Sequence, residues 1–308
     1  MQLHQLRYIR EIARQGFSVS AAAKALGTSQ PNVSNQVQQL EEELSLKIFE
    51  RYGKRLTGLS AVGKTIIELA NNALINVDNI GQFVADNHND QMGTLSIGTT
   101  HTQARYALPK AIKSFSEHYP KVHLNMVQGT PVELAEMAAA GQIDIAIATE
   151  GIGQNTSLFS FPCYDWNRTV VVPENHPLLS EKKLTLEAIA QYPILTYIRD
   201  ITGRALQDKA FKEHNLKPHI IFTATDADVI KTYVELEIEL GVGIIASMAF
   251  NQTKDAPLIG LDASHLFSPS TTVLGFRRNT YLRKYTYAFI EFFAPHLTRS
   301  VIDESIKA

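Results

Sequence analysis

The chain carries a single cysteine, Cys163, in 308 residues. One thiol cannot close an intramolecular disulfide or furnish a cysteine-based zinc site by itself, so a disulfide scaffold is excluded. Its plain role is a small buried hydrophobe between Pro162 and Tyr164. Long apolar runs are missing too. Stretches such as 143–148 and 170–172 fall far short of the roughly 20 residues a bilayer span requires, and the opening MQLHQLRYIREIARQ alternates polar and apolar residues. The expectation is a cytoplasmic protein with no membrane partner. Glycine (17) and proline (12) are too few for a collagen-like or low-complexity chain. With 44% apolar and 19% charged residues, the length predicts two or three globular units.

The net charge of −2 points to no partner until it is divided by region. Residues 1–64 hold nine bases (Arg7, Arg10, Arg14, Lys24, Lys47, Arg51, Lys54, Arg55 and Lys64) against five acids, giving +4, and the remainder carries −6. Local charge sets the field a ligand meets, so a basic head on an acidic body predicts a phosphate-binding module joined to a regulatory one.

Leu3, Leu6, Ile9, Ile12 and Ala13 recur at helical spacing, predicting a helix over 1–14 that ends near Gly16. Ser18 or Ser20 can cap a short helix over 21–26, stopped by Gly27. Ser29 stands at the N-cap of a third helix, with Gln30 and Pro31 in the first turn, where a missing N–H does no harm. Val33, Val37 and Leu40 share its inner face. Gln30, Asn32, Ser34, Asn35 and Gln38 then point outward with side chains of the right length to read base edges in a major groove. Residues 49–57 predict a hairpin turned at Gly53, with Arg51, Lys54 and Arg55 around its tip as a wing for phosphates or a minor groove. The alternative is a three-helix packing domain with a solvated charged face.

Val62, Ile66, Leu69, Ala73, Asn76, Ile80 and Phe83 recur at spacings of four and three, a coiled-coil seam of about three heptads with one polar position. Dimerisation through this seam is expected, and packing of the stripe on the body is the alternative. Residues 88–93, polar and ending in glycine, read as a hinge.

From residue 94 short strands alternate with helices. Strands are expected over 94–99, 122–127, 143–148, 169–172, 194–197, 219–223 and 243–246, and helices over 101–118, 131–140, 185–189, 202–214 and 227–240. A return strand over 271–276 and a last helix over 281–293 follow. The alternation predicts parallel β-α units in two similar lobes. In such sheets ligands sit beyond the carboxyl ends of strands, where helix N-termini present free N–H groups. Residues 99–103 hold that place after the first strand, Thr149 after the third, and Thr202 with Gly203 at a helix start in the second lobe. These hydroxyl corners can converge on a cleft and suit a small anion or zwitterion held reversibly. Any one of them can equally be a plain helix cap.

The first 60 residues resemble the winged helix-turn-helix of LysR-type transcriptional regulators in Phe17, the SAAAKA run from Ser20 to Ala25, Leu26, Ser29-Gln30-Pro31, Val33-Ser34, Leu40-Glu41 through Leu44 and Phe49-Glu50-Arg51. The resemblance implies contact with promoter DNA through Ser29, Gln30, Pro31, Asn32, Ser34, Asn35, Gln38, Arg51, Lys54 and Arg55. Asn35 and Gln38 stand where the family commonly carries basic residues, which shifts the expected phosphate contacts toward the wing. The proline that usually opens the next helix is absent from residues 56–63. In the body, THTQARYALP (100–109), QGTP (128–131), AIATE (146–150), FPCYDWNR (161–168), Thr202-Gly203-Arg204, TATDADVIKTYV (223–234) and FFAPHLTR (292–299) resemble the CysB group of that family.

The resemblance implies an activator of sulfate uptake and cysteine synthesis genes, induced by N-acetylserine, formed from O-acetylserine, and opposed by sulfide or thiosulfate. It also implies a homotetramer built on the linker-helix dimer, a contact with RNA polymerase, and an effector or anion pocket at Thr100, Thr102, Gln103, Thr149, Trp166 and Thr202. Sulfate or a similar anion fits the same pocket, and no cofactor or metal is expected. A paralogous branch for sulfonate use senses adenosine phosphosulfate instead. The departures are Arg199-Asp200-Ile201 at the lip, Glu235, Glu237 and Glu239 before Gly241, and a short tail after Arg299. The fold class expected is α/β: a winged helix-turn-helix over 1–59, a linker helix and hinge over 60–91, and a two-lobed effector domain over 92–308 resembling periplasmic solute-binding proteins. Lobe I spans 92–163 and 268–308, and lobe II spans 164–267.

Three other classes find less support. His101, Asp165, Asp226 and Asp228 offer acid-base groups, but there is no Gly-x-Ser-x-Gly, no Walker lysine and no His-Glu-x-x-His, so the chain is expected not to be an enzyme. A solute receptor would need an export signal. Redox sensing by Cys163 would need a low-pKa thiol, which neighbouring Asp165 disfavours.

Overall fold

The structure, a computed structural model, describes residues 1–308 apart from Lys54, Glu150, Asp200, Thr202 and Ala308. Two of the expected contact residues, Lys54 and Thr202, therefore lie outside the described residues. The chain separates into one unit formed by Met1–His88 with Asn279–Tyr281 and another formed by Asn89–Arg278 with Leu282–Ala308.

In the first unit α1 (Leu3–Arg14), α2 (Val19–Ala25) and α3 (Gln30–Leu44) close over a core that includes Ile9, Ile12, Val33, Val37 and Leu40. Ser18 rather than Ser20 caps α2, its hydroxyl accepting from the Ala21 N–H at 3.3 Å. Ser29 caps α3, and Pro31 takes a first-turn position where it forfeits no helical bond. The hairpin pairs β1 (Phe49–Tyr52) with β2 (Arg55–Leu59), and Gly53 in the connection holds φ +62°, a left-handed conformation that glycine adopts freely. The next helix, α4 (Ala61–His88), starts without the proline because Ser60 replaces it: its hydroxyl accepts from the Gly63 N–H at 2.9 Å and donates to the Lys47 carbonyl. α4 buries Ile67, Ala70 and Leu74 in the core of the head. Of the expected seam, Ile66 and Ala73 lean on that same core, whereas Val62, Leu69 (63%), Ile80 (66%) and Phe83 (55%) are exposed.

The second unit begins with β3 (Met92–Thr99), α5 (Leu108–His118), β4 (Lys121–Gln128), α6 (Pro131–Ala139), β5 (Ile145–Ala148) and β6 (Leu158–Trp166). It continues with β7 (Arg168–Val172), α7 (Leu186–Ile189), β8 (Ile194–Tyr197), α8 (Arg204–Glu213), β9 (Ile220–Ala224), α9 (Ala227–Glu235), β10 (Val242–Ala246) and β11 (Ile259–Asp262). β12 (Ser270–Arg277), α10 (Lys284–Phe293) and α11 (Arg299–Lys307) follow. Two five-stranded sheets result, ordered β4-β3-β5-β12-β6 and β11-β7-β10-β8-β9. Both are mixed rather than all-parallel: β12 runs antiparallel to β5 and β6, and β7 antiparallel to β10 and β11.

Other expectations are also corrected. β6, β11 and α11 were not anticipated. The helix expected over 101–118 is split into a π-helical turn over Gln103–Ala107 and α5. Pro109 explains the split, since it has no N–H to offer the carbonyl four residues back. The helix expected over 227–240 stops at Glu235, and Glu237, Glu239 and Leu240 take positive φ. Acidic side chains at a helix C-terminus oppose its dipole, so Glu235, Glu237 and Glu239 disfavour continuation.

The chain crosses between sheets after Trp166, not at 163/164, and returns before Ser270. Both crossings are tied together. The Asn167 amide donates to the carbonyls of Ser264 (3.0 Å) and Phe267 (3.1 Å), and Arg168 donates to the Ser268 carbonyl at 3.1 Å and to Ser270 Oγ at 3.0 Å. No helix among the described residues is long and apolar enough to cross a membrane.

Candidate functional site

On the head, Ser29, Gln30, Pro31, Asn32, Ser34, Asn35 and Gln38 are all exposed on α3 or its cap, as an outward reading face requires. Two of them are partly engaged. Asn32 Nδ2 donates to Tyr8 Oη (3.1 Å) and Thr28 Oγ1 (3.0 Å), and Gln38 Nε2 donates to Glu42 (2.8 Å), so those amides must exchange partners to meet a base. Arg55 is exposed at the start of β2. Arg51 has a different position: its Nη2 lies 3.0 Å from Glu41 Oε2, and Glu41 is 2% exposed. Glu41 also accepts from the N–H groups of Ile48 (2.9 Å) and Phe49 (3.2 Å). A buried carboxylate at the end of the reading helix thus anchors the root of the wing, which the sequence motif alone did not reveal.

In the second unit the ends of β3 and β5 lie together, since Thr99 pairs with Ile147 in parallel register. Thr99 is wholly structural, its hydroxyl donating to the Ile147 carbonyl at 3.0 Å. The residues after it are almost buried: Thr100 is 6%, Thr102 1% and Gln103 1% exposed. Thr149, half-buried, follows β5 at the same sheet end. Gln103 is locked to the first sheet, donating to Thr272 Oγ1 at 3.0 Å and accepting from the Tyr164 hydroxyl. Thr102 faces the second sheet and lies beside the Tyr197 phenol without a well-formed hydrogen bond. Trp166, 6% exposed, packs with Tyr197, Ala227 and Ile230 and with half-buried Tyr106 and Tyr164. Thr100, Thr102, Gln103 and Trp166 therefore gather where the two sheets meet. Burial pushes both Tyr164 and Tyr197 up to about 12, so these phenols stay neutral donors.

Three polar atoms here are buried without a partner: Thr102 Oγ1, Trp166 Nε1 and His101 Nδ1. Gly203, next to the second-lobe corner, holds φ +68°, and a Cβ there would stand 2.1 Å from Arg168 Nη2, which donates to the Gly203 carbonyl at 2.5 Å. Only glycine lets that guanidinium approach.

The roles of Arg105, Tyr106, Lys231 and Asp255 at the junction escaped sequence reasoning, whereas Asp228 is legible in the sequence only as an acid-base group. Asp228 lies 2.5 Å from Arg105 Nε and 3.2 Å from Lys231 Nζ, and accepts from Tyr106 Oη at 2.7 Å. Lys231, 7% exposed, also donates to Tyr106 Oη (3.3 Å), Asp255 Oδ1 (2.7 Å) and the Ala249 carbonyl (2.9 Å). Its signal in the sequence was a lysine on the buried face that Ala227, Ile230 and Val234 define. Burial opposes the charge on Lys231, yet Asp255 and Tyr106 outweigh it and hold its pKa above the usual value. Burial would likewise raise Asp228, but Tyr106 and Lys231 hold it below the usual value. His101, Asp226 and Asp228 offer ligand atoms within 4.8 Å of one another. The two carboxylates are already employed, Asp228 in these pairs and Asp226 as the cap of α9 through the Val229 N–H (2.9 Å), so the trio is not a ready metal site.

A helix-turn-helix with a basic wing joined to a two-sheet body with an enclosed polar junction defines a ligand-responsive DNA-binding regulator. Residues 3–64 match the model of the bacterial regulatory helix-turn-helix protein, lysR family, and residues 88–298 match that of the LysR substrate binding domain. The chain belongs to the LysR family of transcriptional regulators and is not an enzyme. It is 48% identical over 305 residues to the HTH-type transcriptional regulator CysB of Haemophilus influenzae, covering 99% of this chain and 94% of that protein. To the regulator SsuR of Burkholderia cenocepacia it is 46% identical over 302 residues, covering 98% and 97%. Among solved structures, the cofactor-binding domain of the Cbl transcriptional regulator matches at TM-score 0.68 and 42% identity, covering 71% of this chain and 95% of that one. A full-length OxyR variant from Pseudomonas aeruginosa shares the fold at TM-score 0.70 and 21% identity, covering 96% and 98%.

Proposed function

We propose that this regulator activates genes of sulfate assimilation and cysteine synthesis. N-acetylserine or its precursor O-acetylserine is the inducer, held at Thr100, Thr102, Gln103, Thr149, Trp166 and Thr202 and opposed by sulfide or thiosulfate. The observation that carries the reading is the set of unmatched polar atoms at the sheet junction, Thr102 Oγ1, Trp166 Nε1 and His101 Nδ1. A buried donor left without a partner costs about 1–3 kcal/mol, so a small ligand rich in acceptor oxygens recovers that free energy where such donors converge. Sulfate meets the same requirement. A second reading, the paralogous branch that senses adenosine phosphosulfate, is favoured by the near-equal likeness to regulators named SsuR and CysB.

The regulator grips promoter DNA as a dimer joined through the exposed α4 stripe, with two dimers forming a tetramer that contacts RNA polymerase. Ligand shifts the arrangement of the heads only by its difference in affinity for the two states. Calorimetric titration of the full chain with N-acetylserine, sulfate, thiosulfate and adenosine phosphosulfate tests the pocket. The expected result is inducer binding that weakens at least about tenfold in Thr100→Ala and Thr102→Ala. Wild-type affinity in both variants would remove the pocket assignment, and binding of adenosine phosphosulfate alone would select the second reading. Leu69→Asp should dissociate the dimer in light scattering, because it places a charge in the seam.

A further inference from the structure

The π-helical turn over Gln103–Ala107 is tied at one end to the first sheet and at the other to α9, which packs against the second sheet. Gln103 is fixed to β6 and β12 through Tyr164 and Thr272. Tyr106 and Arg105, on the same turn, hold Asp228 on α9, and Lys231 braces that carboxylate and the Tyr106 hydroxyl from below while anchored to Asp255. Thr102, with its unmatched hydroxyl, is the residue immediately before the turn. π-helical turns are uncommon and are found frequently at functional sites. This one has side-chain anchors in the first sheet and in α9.

We propose that Asp228 and Lys231 are positioning residues for the effector corner: acting through Tyr106, they hold the π-helical turn so that occupancy of Thr102 and docking of α9 form one coupled event. The inference rests on the reading of Thr100–Gln103 as the effector corner and adds how that corner is regulated. A ligand that orders Thr102 and Gln103 strengthens the Tyr106–Asp228 contact, and loss of that contact loosens the ligand by the same factor, as linkage requires. The coupling runs through an element anchored in the first sheet and in α9, a contiguous physical link by which one site can bias another.

Trp166 is the only tryptophan of the chain, so intrinsic emission reports the junction directly. The full chain and its Tyr106→Phe, Asp228→Asn and Asp228→Glu variants are titrated with N-acetylserine and with sulfate, following Trp166 emission and amide exchange. Tyr106→Phe and Asp228→Asn are expected to weaken ligand binding about tenfold and to accelerate exchange in residues 101–107 and 226–231 alone, with Asp228→Glu recovering part of both. Exchange raised throughout the unit with a lowered melting temperature would mark a merely structural role and overturn the proposal. Unchanged exchange in 101–107 would overturn it as well. If neither probe alters Trp166 emission in the wild-type chain, the effector reading fails, and localised exchange in Tyr106→Phe still decides whether Asp228 positions the turn.

Discussion

Head and body each bury a charged side chain, and they use it in opposite ways. Glu41 in the head takes all its partners from the next ten residues: Lys47, the N–H groups of Ile48 and Phe49, and Arg51. Lys231 in the body joins Tyr106 on the π-helical turn, Asp228 on its own helix, and Ala249 and Asp255 after β10, partners that lie as many as 125 residues from it. A short-range clamp is remade as soon as its segment folds, and it keeps a reading surface rigid. A long-range tie closes a large loop at greater entropic cost, so it opens with less work and can be biased by a ligand.

The largest expected effect comes from breaking the clamp. Glu41→Ala leaves two buried N–H groups and Arg51 without their acceptor, and should destabilise the head by about 3 kcal/mol. Circular dichroism should show an earlier melting step, and DNA affinity should fall while ligand binding by the body persists. An undiminished head would erase the contrast. A smaller effect comes from pH. The depressed Asp228 pKa adds stability above its ordinary value near 3.8 and loses it as pH falls through the folded-state value. The raised Lys231 pKa adds stability below 10.5 and loses it as pH rises past the folded-state value. The stability gap between wild type and Asp228→Asn in denaturant melts should therefore stay level from about pH 5 to 9 and shrink in stronger acid. A gap that changes through neutral pH would show that the tie is not built from these two groups. The smallest effect concerns Cys163, whose thiol burial pushes up to about 12. Peroxide should leave DNA binding unaltered, and thiol reagents should react fully only after unfolding.

Much of the head was legible because its signals are local: Ser29 caps α3, Gly53 turns the hairpin, and Val33, Val37 and Leu40 mark the inner face. The body was read less completely. β6 was missed because Pro162 interrupts its pattern, which the structure tolerates at a sheet edge with a register shift opposite it. The period that runs through Ala227, Ile230 and Val234 could not show that like charges would end α9 at Glu235. At the junction, Thr102 and Gln103 could be named from their place after the first strand, and Trp166 only through the family resemblance. Tyr106 and Lys231 could not, because their partners are distant in sequence and only folding brings them within reach.

The paired crossings at Asn167 and Ser270 give the body a door with its pins on one edge. Two strands that are bonded to each other can flex together but cannot slide or unwind independently. Any swing of one sheet against the other is thereby confined to a single coordinate.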